Sequence, residues 1–256
     1  MRSPLWIMVL VAVVGLWAPA RAATDKPTIV LVHGAFADSS SWNGVIADLQ
    51  RDGYPVIAAA NPLRGIACDA AYVAAVVKSV KGPVVLVGHS YGGAVISEAA
   101  AGAGNVKALV FVDAFALDVG ESVGAIGEKF PGSPLGGALT ATPLPDGGQD
   151  LSVRADAFGA VFAPDVPADA ARVAAVEQRP VAAAAFGEKA TAAAWKSIPS
   201  WFVYGSSDQA IVPPALAFMA DRAHSRKTVI VPGGSHVTLI SHPHDVASLI
   251  EAAAAP

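Results

Sequence analysis

One stretch limits what this chain can fold into more than any other: Pro83-Val84-Val85-Leu86-Val87-Gly88-His89-Ser90-Tyr91-Gly92-Gly93-Ala94-Val95-Ile96. Its first half is a short continuous apolar run, which suits a strand covered on both faces. The run breaks at Gly88-His89-Ser90-Tyr91-Gly92 and resumes as an Ala-rich apolar segment, residues 94–101, that reads as a helix. A glycine on each side of the break lets the strand and helix backbones pass close together. A tight strand-to-helix turn lifts the side chain at its apex, here Ser90, clear of the sheet edge. It also sets that hydroxyl at a helix N-terminus, where free N–H groups and the helix dipole favour a developing negative charge. The pattern predicts Ser90 as a nucleophile held on a strained turn.

Strands and helices alternate around that turn. Thr28–Val32 is a β-branched strand running into His33-Gly34-Ala35-Phe36, and residues 38–41 offer N-caps for a helix with Trp42, Val45, Ile46 and Leu49 on one face. Residues 55–60 form the next strand, and Asp69 is expected to cap a helix through Val80. Val106–Val112 is a further buried strand ending at Asp113. This order predicts the α/β class, with an open, mostly parallel sheet and helices on both faces. Residues 117–198 then hold no strong strand, only Gly/Pro-rich turns and helical pieces at 155–162, 168–178 and 181–186. An insertion there falls at the carboxyl edge of the sheet, so it is expected to form a helical cap. Phe158, Val161, Phe162, Val173 and Val176 are spaced as packing residues of that cap. Strands return at 201–204 and Thr228–Val231, about six in all, with helices at Pro213–Arg222 and 244–254.

The first 22 residues read as an export leader: Arg2 is the positive start, 5–17 the apolar stretch and Ala20-Arg21-Ala22 the cleavage signal. The apolar run is too short for a transmembrane helix. Cleavage would leave residues 23–256 as one α/β domain, exported to the periplasm or medium without stable membrane insertion. A net charge of −4 with no block of basic residues gives nucleic acid no electrostatic footprint. Cys68, the sole cysteine, cannot form an internal disulfide and reads as a small buried hydrophobe.

A serine hydroxyl is a weak nucleophile unless a base takes its proton and a third group orients the base. Ser90, Asp208 and His236 each lie just after a sheet strand, so the topology can bring them to one edge. His236 follows the last strand in a glycine-rich turn and is the base of choice among six histidines; His33 and His89 read as structural, and His224, His242 and His244 as surface. Asp208 is the expected acid, with Asp113 as its rival. Two backbone N–H groups must hold an oxyanion, and those of Tyr91 and Ala35 are placed for it. Such a set performs acyl transfer. No metal cluster, P-loop lysine or dinucleotide fingerprint accompanies it, so no cofactor is expected.

These residues resemble a known family. His33-Gly34-Ala35-Phe36, Ser41-Trp42, Gly88-His89-Ser90-Tyr91-Gly92-Gly93, Asp208 and Gly234-Ser235-His236 are similar to the compact α/β-hydrolases of the plant methylesterase and hydroxynitrile lyase group. The resemblance spans roughly residues 27–254. It implies the α/β-hydrolase fold, a Ser90–Asp208–His236 triad, Ala35 and Tyr91 as oxyanion donors, and a small, fairly apolar ester as substrate. Dehalogenases and epoxide hydrolases of that fold carry an aspartate where Ser90 stands. The hydroxynitrile lyases carry a lysine directly after the histidine, where this chain has Val237. Cofactor-free haloperoxidases share the triad, and a non-catalytic ligand-binding relative would share the fold.

Overall fold

The computed structural model describes residues 26–255, so the leader expected at residues 1–22 lies outside the described residues. The elements run β1 (Thr28–Val32), α1 (Asn43–Arg51), β2 (Val56–Ala59), α2 (Ile66–Ser79), β3 (Val84–His89), α3 (Tyr91–Ala99) and β4 (Val106–Val112). After the insertion come β8 (Ser200–Gly205), α7 (Pro213–Arg222), β9 (Thr228–Val231), α8 (Thr238–Ser241) and α9 (Pro243–Ala254). Six of these strands form one sheet in the order β2-β1-β3-β4-β8-β9, every neighbouring pair parallel. The central strands β1, β3 and β4 are buried almost throughout, as their unbroken apolar runs require, whereas the edge strand β9 is largely open.

Topology places the site. The chain steps from β1 outward to β2, then returns past β1 to β3 and continues the other way. Right-handed crossovers therefore put α1 on one face and α2 and α3 on the other. The packing agrees, with α1 against α9 and α2 against α3. The reversal opens a crevice at the carboxyl ends of β1 and β3, which is where ligands bind in open α/β sheets. Ala35 follows β1 and Ser90 follows β3 at that crevice.

The insertion between β4 and β8 covers it. It contains α4 (Val123–Lys129), β5 (Leu139–Pro143), β6 (Gln149–Val153), α5 (Ala155–Val161), α6 (Ala168–Glu177) and β7 (Val181–Ala182). The expectation of a purely helical cap is corrected here, because β5, β6 and β7 form a three-stranded antiparallel sheet. One face carries Leu139, Ala141, Leu151, Val153 and Val181 in cross-strand register, with Val153 and Val181 buried, while β5 is otherwise largely exposed and the chain reverses through the Gly147 turn (φ 87°). Residues 181–186 are correspondingly a short strand and a 3-10 turn in place of a helix. Phe158 and Phe162 pack as expected, but Val173 and Val176 lie exposed on α6. Cys68 is exposed too, on the first turn of α2, which begins three residues before Asp69.

Candidate active site

Ser90 sits between β3 and α3 with φ 50° and ψ −124°, a left-handed conformation that a non-glycine residue adopts only at a cost of about 1–3 kcal/mol. The surroundings enforce it. Its N–H donates to the Val112 carbonyl (3.1 Å), and its own carbonyl accepts from Gly93 (3.0 Å) and Phe115 (3.1 Å). A side chain at Gly88 would meet the Gly92 carbonyl oxygen at 2.5 Å, so strand and helix can cross this closely only with glycine there.

The three residues expected from the sequence are brought together. The Ser90 hydroxyl lies 2.8 Å from His236 Nε2, and His236 Nδ1 lies 2.8 Å from Asp208 Oδ2. The other Asp208 oxygen accepts from the N–H groups of Ala210 (2.8 Å) and Ile211 (2.9 Å), which fixes the carboxylate in its turn. With Asp208 accepting at Nδ1, the ring carries its proton there and offers the Nε2 lone pair to the serine. Both side chains are sealed from solvent. Burial alone would lower the His236 pKa, but the charge and hydrogen bond of Asp208 outweigh it and raise the imidazole above its ordinary value.

Asp113 lies on the same edge without bonding to the ring. Its Oδ1 accepts from the Gly205 N–H (2.8 Å), and its Oδ2 from the N–H (3.2 Å) and hydroxyl (2.5 Å) of Thr238. Burial, reinforced by the neighbouring Asp208 charge, pushes its carboxyl up to about 7.

The Tyr91 N–H is the first of α3, and the Ala35 N–H lies in the turn after β1. Both residues line the cavity above Ser90, and among the described residues neither N–H has a hydrogen-bond acceptor. Buried backbone donors are rarely left unpaired, so two aimed into one cavity suit an oxygen of a bound molecule. The Tyr91 hydroxyl donates to Asp69 Oδ2 (2.8 Å), and that carboxylate also accepts from the N–H groups of Arg64 (3.0 Å) and Gly65 (3.4 Å). Burial, with the Asp69 charge, raises the Tyr91 phenol far above its ordinary value, so it stays a donor.

Of the other histidines, His33 bonds Gly34 and Asn61, and His89 donates from Nε2 to the His236 carbonyl (2.9 Å). Burial, then the nearby His236, keeps His89 neutral. His224 and His244 are exposed and His242 half-buried, as expected of surface positions.

The cavity holds about 300 Å³ and is walled by cap residues such as Leu135, Leu139 and Phe186 together with Phe115 and Ile211. Among the described residues that line it, His236 is the one ionisable side chain apart from the Tyr91 phenol. Two contacts with the histidine turn were not legible in the sequence. Phe162 stands nearly edge-on to the His236 ring, with centroids 4.9 Å apart. Asp165 accepts from the Ser235 N–H (2.9 Å) and hydroxyl, which ties the cap to the histidine turn. The apolar spacing marks Phe162 as a packing residue but not its partner, and no local pattern marks Asp165, since each acts through a residue some 70 positions away.

Residues 29–249 match the alpha/beta hydrolase family. Alpha/beta hydrolase nvfD of Aspergillus novofumigatus is 28% identical over 252 residues, 90% of this chain and 97% of that protein. Among solved structures, polyneuridine aldehyde esterase superposes with a TM-score of 0.76 at 18% identity, covering 89% of this chain and 98% of that one. The methylesterase MES16 from Arabidopsis gives 0.73 at 15% identity, with 88% and 98% covered.

Proposed function

Since the chain belongs to the alpha/beta hydrolase family, we propose that it is a serine esterase acting on a small, uncharged, fairly apolar carboxylic ester. The observation that carries this reading is the unbroken Ser90–His236–Asp208 chain of hydrogen bonds opening onto an apolar cavity with two unpaired N–H groups. Ser90 Oγ attacks the ester carbonyl while His236 Nε2 takes the hydroxyl proton. Asp208 stabilises the imidazolium, and the N–H groups of Ala35 and Tyr91 hold the tetrahedral oxyanion. Collapse expels the alcohol, which takes the proton from His236. A water molecule then enters by the same route, and the carboxylic acid leaves with Ser90 restored. Among the described residues no Asp, Glu, Lys or Arg lines the cavity, which supports a neutral substrate, because an ionised group would be desolvated there without a partner.

Val237 favours hydrolysis over cyanohydrin cleavage. It is buried directly after His236, where a lyase of this type would place an ammonium to hold the departing anion. The proposal includes export, with a mature chain beginning at Ala23, which mass spectrometry of the protein from its native host would read directly.

The decisive assay is hydrolysis of p-nitrophenyl butyrate by the wild type and by Ser90→Ala. Activity should vanish in a variant whose circular dichroism is unchanged. A folded Ser90→Ala protein that keeps most of its activity would remove Ser90 from the mechanism. A wild type inert to ester panels would favour a ligand-binding role.

A further inference from the structure

A second cleft, of about 350 Å³, lies on the other side of two aromatic rings that wall the nucleophile cavity. Phe36 and Phe162 line both spaces. Their rings meet edge to face with centroids 6.1 Å apart, and both are almost wholly buried. Val237, the residue after His236, also lines the second cleft, whose apolar wall of Phe36, Phe158, Phe162 and Val237 gives way to a polar one at Asp38, Glu177 and Gln178. The two spaces are therefore neighbours across one aromatic partition.

Reaction geometry calls for two spaces. A tetrahedral acyl intermediate carries an acyl chain and an alkoxy group that diverge from one carbon. An inner cavity of about 300 Å³ is at the lower limit for small-molecule sites and suits one of these groups better than both. The backbone adds an independent sign. Phe36 has φ 60°, a genuine outlier for so bulky a residue, and it directly follows the proposed oxyanion donor Ala35. Such strain persists where the surroundings fix a side chain in one place, and it clusters at ligand clamps. Phe162 follows α5 in the cap and stands against the His236 ring, so the same ring touches the base and walls both spaces.

We infer that Phe36 and Phe162 form the partition between an acyl and an alcohol subsite, and that Phe162 sets how long a chain the second subsite admits. This rests on the acyl-transfer reading above. The occupant of the second cleft is the chain on one side of the ester, apolar where it passes the two rings and Val237 and ending toward the polar wall at Asp38 and Glu177, and the Phe162 ring limits its length.

Two substrate series test it: p-nitrophenyl esters of lengthening acyl chain, and butyrate esters of lengthening alcohol. Phe162→Ala should raise kcat/KM for the longest member over the shortest by at least about tenfold in one series, since a few methylenes in an apolar site are worth that much. The other series should hold its ratio within about twofold, because only one subsite lies behind the ring. Phe162→Leu keeps more of the packing and should shift the same series in the same direction, so an insoluble alanine variant still leaves a reading. A binding measurement separates this inference from the chemistry. Alkyl phenyl ketones, uncleavable mimics of the ester, are titrated into Ser90→Ala with and without Phe162→Ala. Tighter binding of the long ketone alone supports the partition even if no ester is cleaved. Hydrolysis with both series unchanged, or both altered alike, overturns the partition and leaves the esterase reading standing.

Discussion

Asp113 takes both the N–H and the hydroxyl of Thr238 on a single carboxylate oxygen, at 3.2 and 2.5 Å. Its other oxygen holds the Gly205 N–H. Gly205 ends β8 and leads to Asp208, while Thr238 begins α8 two residues after His236. The buried carboxyl thus braces the two segments that deliver the acid and the base, and Asp208 alone of the two carboxylates bonds the ring.

That difference predicts unequal costs for two like substitutions. Asp208→Asn should leave the shape intact but favour the wrong histidine tautomer, lowering kcat/KM by up to about four orders of magnitude, as the equivalent change does in a serine protease. Asp113→Asn keeps an oxygen for Gly205 and should cost no more than roughly tenfold. The reverse ranking, measured on one chromogenic ester, would make Asp113 the triad acid.

The pH profile of kcat/KM should follow His236. Base catalysis needs the neutral imidazole, and the Asp208 charge raises its pKa above the ordinary 6.5. Activity should therefore climb with pH along a limb centred above 6.5, and the residual activity of Asp208→Asn should climb at lower pH. A limb that stays put in that variant would show that Asp208 does not set the charge on the ring.

Stability should carry the mark of Asp113. Burial, then the Asp208 charge, raises its pKa from 3.8 to about 7, so the folded state holds this proton more tightly than the unfolded chain. The favourable contribution is full below 3.8 and is lost as pH rises to about 7. Asp113→Asn cannot titrate. Its Tm relative to the wild type should rise across that window, and a constant difference from pH 4 to pH 8 would refute the raised pKa.

How much of this was legible in the sequence depends on whether each signal is local. The Val84–His89 run, the glycines around Ser90 and the positions of Asp208 and His236 after strands are local patterns, and the structure places these side chains as they suggest. The start of α2 is not local. Asp69 looks like a cap, yet the helix begins at Ile66 because Glu188, from the cap, accepts the N–H groups of Ile66 (2.7 Å) and Ala67 (3.0 Å). That earlier start puts Cys68 on an exposed turn. The hairpin of β5 and β6 was hidden for another reason: its alternation is only two apolar residues long in each strand, Leu139 with Ala141 and Leu151 with Val153, too short to stand out among the Gly/Pro-rich turns around it.

The last prediction concerns Gly34, which lies between β1 and the oxyanion donor Ala35. A Cβ there would stand 2.6 Å from the Ser90 Cβ and 2.9 Å from the His89 carbonyl oxygen. Neither atom can swing aside, because one is the stem of the nucleophile and the other is backbone of the central strand. Gly34→Ala must therefore shift the Ser90 turn or the Ala35 turn, and each carries one of the proposed oxyanion donors. Misplacement by about 1 Å can cost roughly a hundredfold in rate, so kcat/KM should fall at least that far. Overpacking should also lower stability by about 1–3 kcal/mol. Gly82→Ala is the control, since nothing surrounds that position within 4 Å and activity should be unchanged. A Gly34→Ala enzyme that is folded and works at the wild-type rate would show that the Ala35 N–H need not sit where it does, and the oxyanion assignment would fall with it.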